Sequence, residues 1–229
     1  MSILPLDRAS IEALARNGAK AVCLKERALC QVLGHFKLFA DPCDVSMTPH
    51  LALDGIYDGA LTTALVRHIQ PGMRVFEDRA GFGYFSVLIG HLVGKTGCAI
   101  ACNRDDRWGA LLKDNVALNG LTGRLHGRTS HVWCSDEAQI DLWLLHEGSD
   151  PAEWLARTYA VRERMRKDNL PTAEYWFRSN PSYSRHVHDV FQDWALSELT
   201  PFGVWEEFSR ADAAACRDDV WLRANQPKG

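Results

Sequence analysis

The sequence lacks the features that mark several large protein classes. Its seven cysteines include no Cys-x-x-Cys pair, and no apolar run reaches the roughly 18 residues that a membrane-spanning helix needs. The N-terminal segment shows no basic stretch followed by a long apolar one, as a secretory signal would. We therefore expect reduced thiols, a cytoplasmic location and no membrane partner.

The sequence also has little net charge and lacks several ligand-binding motifs. A net charge of −3 over 229 residues gives no general attraction for nucleic acid. A Gly-x-x-x-x-Gly-Lys loop and a Gly-x-Ser-x-Gly elbow are missing, so nucleoside triphosphate hydrolysis and serine acyl transfer have no support. His186 and His188 would face different sides of a helix, and we expect no metal site. A small-molecule substrate is the expected partner, and the sequence is compatible with a homo-oligomer.

What is present is the composition of an ordinary globular protein, with 46% hydrophobic and 24% charged residues. Near the N-terminus, Ser10 can cap a short helix through "IEALARNGA". The stretch "CQVLGHFKLFADPCD" then alternates around Gly34 as a hairpin would. We predict a helix and β-hairpin extension over residues 1–55, and one compact domain over residues 56–229.

The second of these regions alternates between helical and strand patterns. "DGALTTALVRHIQPG" has apolar residues at helical spacing, with Asp58 as its N-cap. Helix-like segments separate five strand-like ones, "MRVFE", "CAIAC", "GRLHGR", "IDLWLLH" and "TAEYWF". A helix-like "SRHVHDVFQDWAL" and a strand-like "DVWLRA" follow. The alternation predicts an α/β fold of the Rossmann-like, doubly wound type with a mostly parallel sheet, in which ligands bind beyond the carboxyl ends of the strands.

The segment "FEDRAGFGYFS", residues 76–86, connects the strand "MRVFE" to an amphipathic helix. Gly81 and Gly83 allow the backbone to turn sharply and to approach a ligand closely. Together with Glu77 they match the spacing of a methyltransferase-type turn, acidic-x-Gly-x-Gly-x-Gly, whose first glycine is replaced by Arg79. The pattern predicts a cofactor-binding turn, and the alternative is a tight turn that binds nothing.

Longer motifs extend this similarity. Ala80, Gly83 and Tyr84 match an acidic-hydrophobic-Gly-Ala-Asn-x-Gly-Tyr turn, and "NVALNG" matches an Asn-x-x-Leu-Asn helix end. Glu147 and Gly148 match the end of a Lys-Ile-Asp-x-Glu-Gly strand. On these motifs the chain resembles the FkbM-type family of S-adenosylmethionine-dependent methyltransferases.

The resemblance spans about residues 28 to 148 and implies a Rossmann-like methyltransferase fold. It also implies S-adenosylmethionine as cofactor and methyl transfer to a hydroxyl of a sugar or other small metabolite. The residues that it places at the cofactor are Glu77, Arg79, Ala80, Gly81, Gly83, Tyr84 and Asn103.

Three departures from the family pattern fall at three strand ends. Arg79 replaces a glycine, Asn103 replaces the acidic residue that holds the ribose hydroxyls, and Leu145 replaces an aspartate. An asparagine cannot accept two hydroxyls with the charge-assisted strength of a carboxylate, so we expect weaker cofactor binding.

The side chain of Arg79 allows three interpretations. Its guanidinium can bind the methionine carboxylate of S-adenosylmethionine, or its bulk can close the pocket. It can also form a local ion pair with Glu77 or Asp78.

Two candidate catalytic residues follow the strand "IDLWLLH". His146 and Glu147 can each take a proton from a hydroxyl nucleophile, but adjacent strand residues point to opposite faces, so only one can serve. The alternative role for Glu147 is to cap the segment that follows.

Two functions are therefore open. The first is an S-adenosylmethionine-dependent methyltransferase, and the second is a pseudo-methyltransferase that has lost the cofactor and acts as a binding or assembly partner.

Overall fold

The structure is a computed structural model. It describes residues 4–103, 106–128, 140–146, 174–179, 191, 194–209 and 220–225, together with positions 156, 159, 163, 167 and 212. The chain divides into two compact units, Met1–His131 with Pro201–Gly203, and Val132–Thr200 with Val204–Gly229. The helices and strands of the first unit are α1 (Arg8–Gly18), β1 (Lys20–Cys23), β2 (Ala28–Val32), β3 (Phe36–Ala40), α2 (Thr48–Leu53), α3 (Gly59–His68), β4 (Arg74–Asp78), α4 (Tyr84–Leu92), β5 (Cys98–Cys102), α5 (Asp106–Leu118) and β6 (Leu125–Arg128).

The N-terminal part of the first unit contains the predicted helix and hairpin. β2 and β3 pair antiparallel around Gly34, and β1 adds a third antiparallel strand that the sequence pattern did not reveal. The predicted cap of α1 is wrong, because Asp7 is the N-cap and its carboxylate accepts the Ser10 N–H at 2.8 Å. Asp and Ser are about equally good caps, so residue preference alone could not choose between them.

The remainder of the first unit is a parallel α/β arrangement. β4, β5 and β6 pair in register in that order, and each strand corresponds to a predicted one. Asp58 caps α3 as predicted, accepting the Leu61 N–H at 3.0 Å. α4 is buried from Tyr84 to Gly90 because its residues are apolar on almost every side. These elements bring the carboxyl ends of β4 and β5 to one edge.

A short segment from late in the chain completes the first unit. A Cβ built on Gly203 would lie 2.9 Å from the Thr63 Cβ, so this residue packs directly on α3. Arg67 donates to the Gly203 carbonyl at 3.2 Å, and Arg8 donates to the carbonyl of Pro201. Residues 201–203 therefore belong structurally with the N-terminal helices.

The strands of the second unit are β7 (Leu142–Leu145), β8 (Glu174–Ser179), β9 (Ala195–Leu199), β10 (Trp205–Glu207) and β11 (Val220–Asn225). β7 and β8 are parallel, while β11 lies between β8 and β9 and is antiparallel to both.

Three of these strands were predicted, but the helix predicted through "SRHVHDVFQDWAL" is wrong at its end, where Ala195 and Leu196 belong to β9. Leu196 is buried and Ala195 exposed, which is the period of a strand.

Aromatic side chains form much of the core of the second unit. The rings of Trp176 and Trp205 lie 4.8 Å apart, and those of Phe177 and Phe191 stack at 5.5 Å. The sequence "PAEWLARTYAVRERMRK", residues 151–167, has a helical pattern, and most of this predicted helix lies outside the described residues.

The fold class predicted from the sequence, a mixed α/β Rossmann-like fold built on parallel strands, is confirmed. Across the ranges that the structure describes, every helix is too short or too polar to cross a membrane.

Candidate functional site

The turn that follows β4 has an unusual backbone. Gly83 donates its N–H to the Ala80 carbonyl at 3.0 Å and closes a β-turn whose second residue, Gly81, has a φ of 57°. Arg79 also lies in the left-handed region, with a φ of 55°. A non-glycine residue in this region costs about 1 to 2 kcal/mol. Arg79, which stands where the family pattern has glycine, therefore has a backbone conformation that glycine adopts more easily.

The two glycines of the turn serve different purposes. A Cβ built on Gly81 would meet no described atom within 4 Å, so space is open beside this residue. A Cβ built on Gly83 would lie 2.5 Å from the Leu112 Cδ1, so α5 packs directly on the backbone at this point. The space beside Gly81 thus holds no described atom, whereas the missing side chain of Gly83 allows close packing of the helix.

Asn103, which directly follows β5, contacts the same turn. Its Nδ2 donates to the Gly81 carbonyl at 2.7 Å, and its backbone N–H donates to the Arg128 carbonyl at 2.9 Å. The residue is only 3% exposed. One of the two N–H donors on the amide of the predicted ribose partner is therefore already bonded within the protein, and Oδ1 is the atom that can accept a ligand hydroxyl.

Asn115, from the "NVALNG" segment, contacts the turn from the other side. Its Nδ2 donates to the Phe82 carbonyl at 2.7 Å and to the Phe39 carbonyl at 2.9 Å, and its Oδ1 accepts the Phe39 N–H at 2.7 Å. Asn119, one helical turn further on, pairs in the same way with both backbone groups of Lys37. Through these side chains α5 bonds to the backbone of β3 much as a neighbouring strand would. The "NVALNG" motif predicted the end of a helix but not these bonds.

The direction of these carbonyls determines where the turn presents its donors. In a trans peptide the C=O of one residue and the N–H of the next point in opposite directions. Because the Gly81 carbonyl faces Asn103, the Phe82 N–H points away from Asn103. α4 begins two residues later, and the N-terminus of a helix favours negative charge. A carboxylate is therefore a suitable ligand group for this turn.

The remaining predicted cofactor residues are largely internal. Glu77 is 2% exposed, and its carboxylate accepts a short hydrogen bond from the Ser86 hydroxyl. Ala80 is buried, and its N–H donates to the Cys102 carbonyl at 3.0 Å.

The side chain of Tyr84 is also enclosed by the protein. Its hydroxyl lies 3.1 Å from Thr62 Oγ1, and burial raises the pKa of Tyr84 well above its ordinary value. With its side chain enclosed, Tyr84 can meet a ligand only through its backbone.

The predicted catalytic pair is only half described. His146 follows β7 and is half-buried, with its ring 5.3 Å from that of Trp221 and nearly perpendicular to it. Glu147 lies outside the described residues. Within the part of the chain that the structure describes, no three His, Cys, Asp or Glu side chains lie close enough together to hold a metal ion.

One contact near the start of α5 was not anticipated from the sequence. Asp41 is buried, and its carboxylate accepts from Arg107 Nη2 at 2.7 Å and from the Cys43 N–H at 2.9 Å. This ion pair ties the segment after β3 to the first turn of α5.

The fold is similar to that of several solved structures, among them methyltransferases. A candidate transferase from Pyrococcus horikoshii, PH0793, is 13% identical with a TM-score of 0.53, over 89% of this chain and 73% of its own. The ribosomal protein L11 methylase of Lactobacillus delbrueckii subsp. bulgaricus is 12% identical with a TM-score of 0.51, over 74% and 78%. The chain has a methyltransferase-type Rossmann-like fold.

A third similar structure is the precorrin-6y C5,15-methyltransferase of Geobacter metallireducens, 9% identical with a TM-score of 0.51 over 74% of this chain and 87% of its own. No protein-family model and no curated protein matches the sequence. At these identities the similarity concerns the fold, and the chemistry has to be argued from the site.

Proposed function

We propose that this protein binds S-adenosylmethionine at the turn after β4 and transfers its methyl group to an acceptor. The observation that carries the proposal is the open space beside Gly81, in a turn whose carbonyls are held by buried asparagines. Methyl transfer is also supported by the fold, which is similar to that of the L11 methylase and the precorrin methyltransferase.

The residues of the turn fit the cofactor. The Phe82 N–H and the N-terminus of α4 offer donors to the methionine carboxylate. The Arg79 guanidinium would add a charged donor, and Asn103 Oδ1 would accept from the ribose. When bound, S-adenosylmethionine supplies an electrophilic methyl group on a sulfonium.

The acceptor is proposed to be a hydroxyl of a sugar or other small metabolite, as the FkbM-type resemblance implies. The net charge of −3 supports a small molecule over a polyanion. His146 or Glu147 would take the proton that the hydroxyl loses as its oxygen bonds to the methyl carbon. Holding the acceptor in line with the methyl group accounts for most of the expected rate acceleration.

The test is isothermal titration of the full chain with S-adenosylmethionine and with S-adenosylhomocysteine, its demethylated product. We expect saturable binding of both ligands. If neither ligand gives a heat of binding at millimolar concentration, the proposal is refuted.

A second candidate function is a pseudo-methyltransferase that uses the fold as a binding or assembly partner. The observation in its favour is the half-buried Arg79 at a left-handed position of the turn, where the family has glycine. Under this function wild type would not bind the cofactor, and Arg79→Gly would create binding. Under the first function the same change would weaken binding by about 1.5 to 3 kcal/mol, the contribution of a hydrogen bond to a charged group.

A further inference from the structure

Two main-chain carbonyls hold Asn103 in place, one bonded to its side-chain amide and one to its backbone N–H. Its Nδ2 lies 2.7 Å from the Gly81 carbonyl oxygen, and its own backbone is held to Arg128 in β6. Gly81 presents a carbonyl here, so only the nitrogen of the amide can face it. This half-buried bond joins the end of β5 to the turn after β4.

We propose that Asn103 is a positioning residue whose amide nitrogen fixes the Gly81 carbonyl and thereby sets the turn that binds the cofactor. A carboxylate only accepts hydrogen bonds, so an acidic side chain at this position would put a negative oxygen against the carbonyl oxygen of Gly81. The acidic residue that the family resemblance leads one to expect would therefore weaken this site. The inference rests on the proposed function, because it concerns the same turn.

The neighbouring carbonyl supports this interpretation. The Phe82 carbonyl also accepts from a buried asparagine amide, Nδ2 of Asn115, at 2.7 Å. Two consecutive carbonyls of the turn are thus held by asparagines from two different elements. Both bonds hold carbonyl oxygens against the asparagines. The Gly83 N–H, opposite the Phe82 carbonyl, is already bonded to the Ala80 carbonyl, so the Phe82 N–H is the donor of these two peptides that remains for the proposed ligand.

The critical variant is Asn103→Asp, which keeps the shape and one acceptor oxygen but removes the donor. The matched control is Asn119→Asp, which removes the donor to the Lys37 and Asn115 carbonyls, neither of which belongs to the turn. Each variant is measured by thermal unfolding without ligand and by titration with S-adenosylhomocysteine.

We expect Asn103→Asp to lower the unfolding midpoint by roughly 3 °C or more and to weaken S-adenosylhomocysteine binding about tenfold or more. The control should lose stability but keep wild-type affinity. A pH series adds a specific signature, because a protonated aspartic acid can donate to the Gly81 carbonyl again. Relative to wild type, both deficits of Asn103→Asp should shrink as the pH falls from 8 to 5, since burial raises the pKa of the introduced group.

Tighter binding by Asn103→Asp, or stability and affinity equal to wild type, would overturn the inference. If wild type binds neither ligand, the proposed function fails. The ligand-free unfolding of the two variants and its pH dependence still test the bond to Gly81 in that case.

Discussion

Leu112 in α5 packs directly against Gly83, with no space for a side chain between them. We predict that Gly83→Ala destabilises the protein by about 2 to 4 kcal/mol, because the new methyl group overpacks a buried contact and the φ of 95° is strained for alanine. Gly81→Ala provides the comparison. It has a strained φ but open space, so it should cost only about 1 kcal/mol of stability while weakening cofactor binding. Urea unfolding and titration of both variants measure the difference, and equal stability losses would contradict it.

The backbone at Arg79 gives a second prediction. A residue with a φ of 55° is better occupied by glycine than by alanine, by about 1 kcal/mol. Arg79→Gly and Arg79→Ala both remove the guanidinium, so the difference between their unfolding free energies isolates the backbone contribution. We expect the glycine variant to be the more stable of the two. An alanine variant of equal or greater stability would mean that the turn relaxes to another conformation.

The three backbone groups bonded to the Asn115 side chain give a third prediction. Asn115→Ala leaves the buried Phe82 carbonyl and both half-buried backbone groups of Phe39 without their bonds. We expect a loss of about 3 to 5 kcal/mol of unfolding free energy. Asn119→Ala should lose less, since its surroundings at Lys37 are exposed and water can replace the amide. Denaturant unfolding of the two variants checks the order.

His91, near the end of α4, gives a prediction about pH. Burial, then the charge of Arg124 and of His35, lowers the pKa of His91 from its ordinary value of 6.5. Its ring lies against Phe36, with centroids 4.4 Å apart. Because the unfolded chain binds this proton more readily than the folded protein, stability should fall as the pH drops below about 6.5 and level off below the lowered pKa.

The measurement for His91 is the unfolding free energy at a series of pH values for wild type and for His91→Gln. The glutamine variant cannot take up this proton, so its stability should depend less on pH between 7 and 5. Identical slopes would show that other groups cause the pH dependence.

The sequence predicted the elements of the first unit well because they are encoded locally. The β4 strand, the glycine turn and the apolar α4 each follow from a few consecutive residues, and Asp58 acts as a cap within three positions of its partner. The role of Asn103 could not be obtained in this way, since its partner Gly81 is 22 residues away and the bond depends on how two strands end side by side. Residue type alone suggested a ligand contact where the structure has a bond within the protein.

The same limit applies elsewhere. The motif containing Asn115 was visible, but its bonds to β3 join segments 76 residues apart. In the second unit, Leu196 lies in a strand, buried and paired with Ala224 of β11, although the preceding residues have a helical pattern. Tertiary pairing decides such short segments, and local preference does not.

The packing of Gly203 on Thr63 has a consequence for how the protein is made. A ribosome releases the N-terminal helices long before it has polymerised residues 201–203, and domains tend to fold as they emerge. During that interval Arg67 lacks one of its two main-chain acceptors, and the surface of α3 that Gly203 covers is open. The first unit therefore reaches its final packing only after residues 201–203 have been synthesised.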